Sequence, residues 1–267
     1  MEEYLNTPIK EVISKFPKVG EILEEYNIGC VPCNVGSCLL KDIMEIHNLP
    51  EEEERELLAR IAKVIYPGKE IRIPKIKRKT KTKSGDIKYS PPMKRLVDEH
   101  LLIKRLLALI PDIIKDLDVD SAEGRQAISD SVNFIRSYAD KYHHAKEEEI
   151  LFKYFDEGLD ILKVIHEDHE SARAHVRAIL EGLDKGDTGG IAEHLNAYRE
   201  LLTEHIKKED EILYPWMDRN LSTAQVGELF SKFDEADDAA DEEAIGNCRK
   251  FVEKMEKKYK IEKEAVK

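Results

Sequence analysis

The chain has 267 residues and a mass of 30.8 kDa, enough for one sizeable core and a small additional domain. Charged residues make up 37% and aromatics 7%, a balance poor in the β-branched and aromatic runs of sheets, so an all-α fold is expected. A formal net charge of −12 disfavours nucleic acid and anionic membrane as partners, and no apolar run approaches the about eighteen residues of a membrane span.

The first residues, "MEEYLNTPIKE", lack the basic and apolar regions of a secretory signal, so a cytoplasmic protein is expected. Residues 1–66 read as a small helical domain. Thr7-Pro8 opens a helix, Asn27 and Gly29 stop one, and "LPEEEERELLARIAKVI" restarts after Pro50. Cys30, Cys33 and Cys38 crowd this domain, a pattern unlike a secreted disulfide framework in a chain of this size. A Cys-x2-Cys pair near a helix start suits a low-pKa redox couple, a metal or iron-sulfur site needing a further ligand, or buried structural thiols. Residues 67–91 are basic and without helical periodicity, which fits a solvated tether between domains, or else a docking site for an acidic partner.

Beyond Pro91-Pro92 the helical period is strong. The first long helix carries its stripe at 96, 100, 103, 107 and 110, with a kink expected at Pro111. The second runs from about Ser121 to Asp156 with an inner stripe at 128, 132, 135, 139, 143, 147 and 150. The third covers about 159–184, striped at 162, 166, 169, 172, 176 and 179, and stops at Gly186. The fourth runs from about Ile191 to Pro215, striped at 198, 201, 205, 209 and 212. Short loops between long amphipathic helices predict an antiparallel up-down four-helix bundle over 92–235. "STAQ" at 222–225 opens further helix, and 236–267 reads as a charged helical tail in which Cys248 has no evident partner.

Two segments nearly copy each other: "HHAKEEEILF" at 143–152 and "HIKKEDEILY" at 205–214. They pair His143 with His205 and Glu147 with Glu209. A histidine and a glutamate four residues apart lie about 40° apart around an α-helix, so both reach one point. His144 is turned about 100° away and is expected on the flank. "DEH" at 98–100 and "EDH" at 167–169 make His100 and His169 counterparts on the other two helices. In an antiparallel bundle all of these fall at one level, roughly 12–15 Å from the end of the bundle.

Two carboxylates and four imidazoles buried at that level would cost several kcal/mol, on the order of 3–5 per uncompensated ion, unless something neutralises them. A polar hydrogen-bond network is one solution. Two divalent ions are the other, each taking two nitrogens and a share of both bridging carboxylates, with room for an outside ligand. Histidine with carboxylate and an open position suits non-haem iron, and manganese or zinc accept the same donors. Ferritin-like oxidases draw instead on Glu-x-x-His pairs, unlike the His-x-x-x-Glu present in this chain.

These residues resemble the hemerythrin-like (HHE cation-binding) family over about 92–235. The resemblance implies a four-helix bundle holding an oxo-bridged di-iron centre, with His100 and His143 on one iron, His169 and His205 on the other, and Glu147 and Glu209 bridging. Oxygen carriers of the family have a fifth histidine where this chain has Ile165, and His166, about 60° off the same face, is expected as an extra ligand or an outer partner. His175 is expected to point elsewhere, His194 to lie about 16 Å down the bundle, and His47 to be exposed. The small cysteine-containing domain joined to such a bundle is similar to the repair-of-iron-centres (RIC) proteins. That implies a stress protein acting on damaged iron-sulfur proteins, or handling oxygen or nitric oxide; a non-catalytic oxygen or nitric oxide binding or sensing module is the alternative. The family carries adjacent cysteines, whereas Val31-Pro32 separates Cys30 from Cys33 and Cys38 is additional.

Overall fold

The computed structural model describes residues 2–26, 28, 39–46, 49–69, 71 and 89–259. Among these residues there is no β-strand, only an isolated bridge between Pro8 and Leu39, so the all-α expectation holds. None of the described helices is long and apolar enough to cross a membrane. They fall into two compact units: the N-terminal helices with Glu211–Asn220, and Tyr89–Asp210 with the residues from Leu221 onward.

The first unit contains α1 (Glu2–Leu5), α2 (Ile9–Lys15), α3 (Pro17–Glu25), α4 (Leu40–Ile46) and α5 (Glu51–Ile65). Pro17 stands at the first position of α3, where its fixed φ favours the helix and its missing N–H costs nothing. Ile9, Val12, Val19, Leu23, Ile43, Leu57 and Ile61 close one apolar core. Cys30, Cys33, Cys38, His47, Asn27 and Gly29 lie outside the described residues, as does most of the basic segment 67–91.

The second unit is built on four long helices. α6 (Pro91–Lys115) runs as continuous helix through Pro111. α7 begins at Ala122, with Ser121 Oγ accepting from the Gly124 N–H at 3.0 Å. It continues past Phe134 as π-helix over Ile135–His144 and Glu147–Leu151, then ends in a 3₁₀ turn, Phe152–Tyr154. α8 (Asp160–Lys185) stops at Gly186, as expected, and the φ of 69° there is the left-handed conformation that ends the helix. α9 (Thr188–Lys208) starts three residues earlier than its apolar period indicates, because the Asp187 side chain caps the Gly190 N–H at 2.9 Å. It runs on as π-helix over Glu209–Leu213 into α10 (Tyr214–Asn220).

α6 packs on α9, α9 on α8, α8 on α7 and α7 on α6, a closed ring of four helices. Gly182 lets α8 and α9 approach closely: a Cβ there would stand 2.8 Å from Ile191 Cγ1. Leu106, Ile110, Ile128, Val132, Ile179 and Leu195 fill the bundle away from the polar level.

Two further helices join this unit. α11 (Thr223–Asp238) opens with a capping box between Ser222 and Gln225, as "STAQ" predicts, and runs unbroken across position 235. Arg95 of α6 donates to Asp234 at 2.6 Å and to Asp237 at 3.0 Å. The charged segment from 236 yields α12 (Glu242–Tyr259), whose Cys248, Phe251, Val252 and Met255 are buried in the bundle's own core. Arg105 donates twice to Glu256, at 2.7 and 2.8 Å. Cys248 is a free, buried thiol, pushed up to about 11 by that burial.

Candidate metal centre

His100 comes from α6, His143 and Glu147 from α7, His169 from α8, and His205 and Glu209 from α9 and its π extension; none is more than 1% exposed. Donor atoms of His100, His143 and Glu209 lie within 4.8 Å of one another, and so do those of His144, Glu147, His169 and His205. The two glutamates connect the two groups. Glu147 Oε2 is 3.8 Å from His143 Nε2 and 3.6 Å from His169 Nε2. Glu209 Oε2 is 3.3 Å from His100 Nε2 and 3.2 Å from His205 Nε2. The Nε2 atoms of His169 and His205 stand 3.1 Å apart. Donors about 2.1 Å from a shared ion are separated by roughly 3.0–3.4 Å; the two Glu209 distances and the His169–His205 distance fall in that range, and the two from Glu147 are wider.

The other ring nitrogens form a second, outer ring. His143 Nδ1 donates to Glu99 of α6 at 2.9 Å, and His169 Nδ1 to Glu148 of α7 at 2.5 Å. His205 Nδ1 donates to Asp168 of α8 at 3.2 Å, and His100 Nδ1 to Asp210, next to Glu209, at 2.7 Å. Each helix therefore supplies the acid that holds the next helix's imidazole, and the circuit closes. Each acid in turn meets a cation. Lys146 donates to Glu99, Arg173 to Glu148 at 3.0 Å, Lys208 to Asp168 at 2.5 Å and Lys104 to Asp210 at 2.7 Å. An Nδ1–H held by a carboxylate directs the Nε2 lone pair inward and raises its basicity, the usual outer arrangement of a metal-ligating histidine.

The electrostatics fit a metal. Burial pushes the imidazoles of His143 and His169 well below the usual histidine range and His144 below it, so all three are neutral donors. Burial opposes charge on His100 as well, yet Asp210 and Glu209 hold it above the usual value. His205 rises to about 9 for the same reason: burial is outweighed by Glu209 and Asp168. Against its own burial, Glu209 is kept well below the usual carboxylate range by His205 and His100. Each pair of imidazoles thus retains one proton that a cation would displace. His143 Nε2 and Glu209 Oε1 are buried without a hydrogen bond, a cost that an ion would remove.

His144 is not on the flank, where an α-helical count puts it. It is 3% exposed, and its ring stacks on that of His169 with centroids 3.9 Å apart and planes 15° apart. The cause is the π-helix, whose i→i+5 bonds insert an extra residue per turn and widen the inward stripe. The same register change buries Leu151 and Leu213, each 0% exposed, in place of the expected Ile150 and Ile212. Sequence reasoning also passes over Glu99, Glu148, Asp168 and Asp210. A signal was present, since each stands beside a residue of the inner set and points, about 100° around its helix, toward the neighbouring helix.

The side chain of His166 is 48% exposed and sits 4.0 Å from Glu148, its ring edge-on to Phe152; buried Ile165 occupies the inward position. His194 is apart from the cluster and faces His175, with the two Nδ1 atoms 3.1 Å apart.

Residues 92–217 match the family described as Hemerythrin HHE cation binding domain, so this part of the chain is a hemerythrin-type, metal-binding bundle. Curated relatives include the uncharacterized protein Mb2018 of Mycobacterium bovis and the uncharacterized proteins MT2051 and Rv1995 of Mycobacterium tuberculosis. Each is 23% identical over 149 residues, covering 52% of this chain and 58% of the relative. The chain thus spans little more than half the length of those relatives. No solved structure matches it.

Proposed function

We propose that the bundle holds two non-haem iron ions, His100 and His143 on one, His169 and His205 on the other, with Glu147 and Glu209 shared between them. The observation that carries this reading is that each glutamate lies against one imidazole of each pair. Iron in such a donor set supplies one-electron chemistry and takes an outside ligand such as oxygen or nitric oxide. The chain's own part is to fix four tautomers through Glu99, Glu148, Asp168 and Asp210 and to keep bulk water from the donors. The cysteine-bearing N-terminal segment makes a RIC-type stress role the physiological reading, with Cys30 and Cys33, and Cys38 beside them, meeting a damaged iron-sulfur client or holding a further metal.

Metal analysis with an absorption spectrum, on protein reduced and then exposed to oxygen or nitric oxide, tests the centre. Two irons per chain are expected, lost in His205→Ala and kept in His194→Ala. Equal iron in both variants would remove the assignment. Repair of a damaged cluster that survives loss of Cys30 and Cys33 would instead leave a binding or sensing module.

A further inference from the structure

A groove of about 320 Å³ is lined by α7 and α8, and His144 and His169 are among its lining residues. Its charged lining is Arg136, Arg173, Arg177 and Asp140, three positive charges against one negative, in a chain whose formal net charge is −12. Arg173 is tied down, donating to Asp140 at 2.9 Å and to Glu148 at 3.0 Å. Arg136 and Arg177 are exposed and make no ion pair among the described residues, so two guanidinium groups of the lining are uncompensated there.

The floor carries an independent sign of a ligand. Tyr198 of α9 lines the same groove, is 0% exposed, and its hydroxyl makes no hydrogen bond. An unmet hydroxyl in a buried place is destabilising, and a groove built only for a neutral diatomic molecule would need neither it nor free arginines. Burial holds the phenol proton on, so the group is a donor at neutral pH.

We infer that this groove admits and binds a small oxyanion, drawn in by Arg136 and Arg177 and received by the Tyr198 hydroxyl, beside the face of the centre formed by His144 and His169. What the anion meets at the inner end rests on the metal reading above; the anion site itself does not. A cationic cleft raises the local concentration of an anion by ten-fold or more at low ionic strength, and the effect fades as salt screens it. The planar guanidinium fork suits an oxyanion better than a point charge does.

Equilibrium dialysis of nitrite against the protein as purified tests this, with metal content measured on the same samples. One saturable nitrite per chain is expected. Affinity should fall at least about ten-fold in the Arg136→Gln/Arg177→Gln double variant and about ten-fold in Tyr198→Phe, with metal content unchanged. Both arginines are exposed, so folding is not at stake in the double variant. Absence of saturable uptake, or equal affinity with and without the two arginines, would overturn the site. Arginine-dependent uptake that persists after chelation would support the anion site independently of the metal reading.

Discussion

Replacing Glu209 by glutamine keeps the side chain's shape and removes its charge, and it should act differently on stability in the two metal states. In the metal-free protein, Glu209 is a fully buried carboxylate balanced by protons held on His100 and His205. With glutamine in its place both imidazoles can lose their protons, so no buried charge is left without a partner, the outcome that would otherwise cost about 3–5 kcal/mol. Loaded protein loses the carboxylate that spans both imidazole pairs. An ion present at about 100 times its Kd adds about 2.7 kcal/mol to the wild type. For a unit of this size that corresponds to a rise in melting temperature of roughly 5–11 °C. Scanning calorimetry of chelated and metal-loaded samples should therefore give a chelated Glu209→Gln protein that melts no lower than the wild type and gains almost nothing from metal. A variant that melts lower when chelated, yet keeps the full metal-dependent rise, would refute the placement of Glu209 at the heart of a cation site.

Lys146→Met should cost about 3 kcal/mol, at the low end for breaking a buried ion pair. Lys146 is 2% exposed and its ammonium joins Glu99 to Asp237 of α11, the latter partly open to water; urea denaturation measures the loss, and a loss under about 1 kcal/mol would show the lysine to be dispensable. Chelated wild type should be most stable near pH 6.5–7. The depressed values of His143, His144 and His169 mean that unfolded chains alone take up protons below about 6.5, at a cost approaching about 4 kcal/mol per pH unit. The raised value of His205 gives stability that is complete below about 6.5 and lost as pH rises through about 9. Urea midpoints at pH 5.5, 6.7 and 9.5 should trace this dome, and a steady rise across the range would contradict it.

The inner donors were legible because their placement is a matter of helical period and depth. His143 with Glu147, and His205 with Glu209, stand four residues apart, and His100 and His169 fall at the matching level, so counting alone brings all six to one place. Caps at Ser121, Gly186 and Ser222 were local for the same reason: each satisfies backbone groups within its own turn. The positions of His144, Leu151 and Leu213 were not, because an i→i+5 ladder changes the angle per residue and nothing in the residues' own propensities announces it. Nor was the outer ring of acids, each of which serves a histidine on the neighbouring helix; the pairing exists only once the helices are side by side. The charged C-terminal segment shows the same divide. Its charges are evident in the chain, but the partners that bury Cys248, Phe251 and Val252 belong to α6 and α7, more than a hundred residues away. Local hydrogen bonding and periodicity are written in neighbouring residues, whereas register between helices and the burial of a docked face are set by packing, which no short stretch contains.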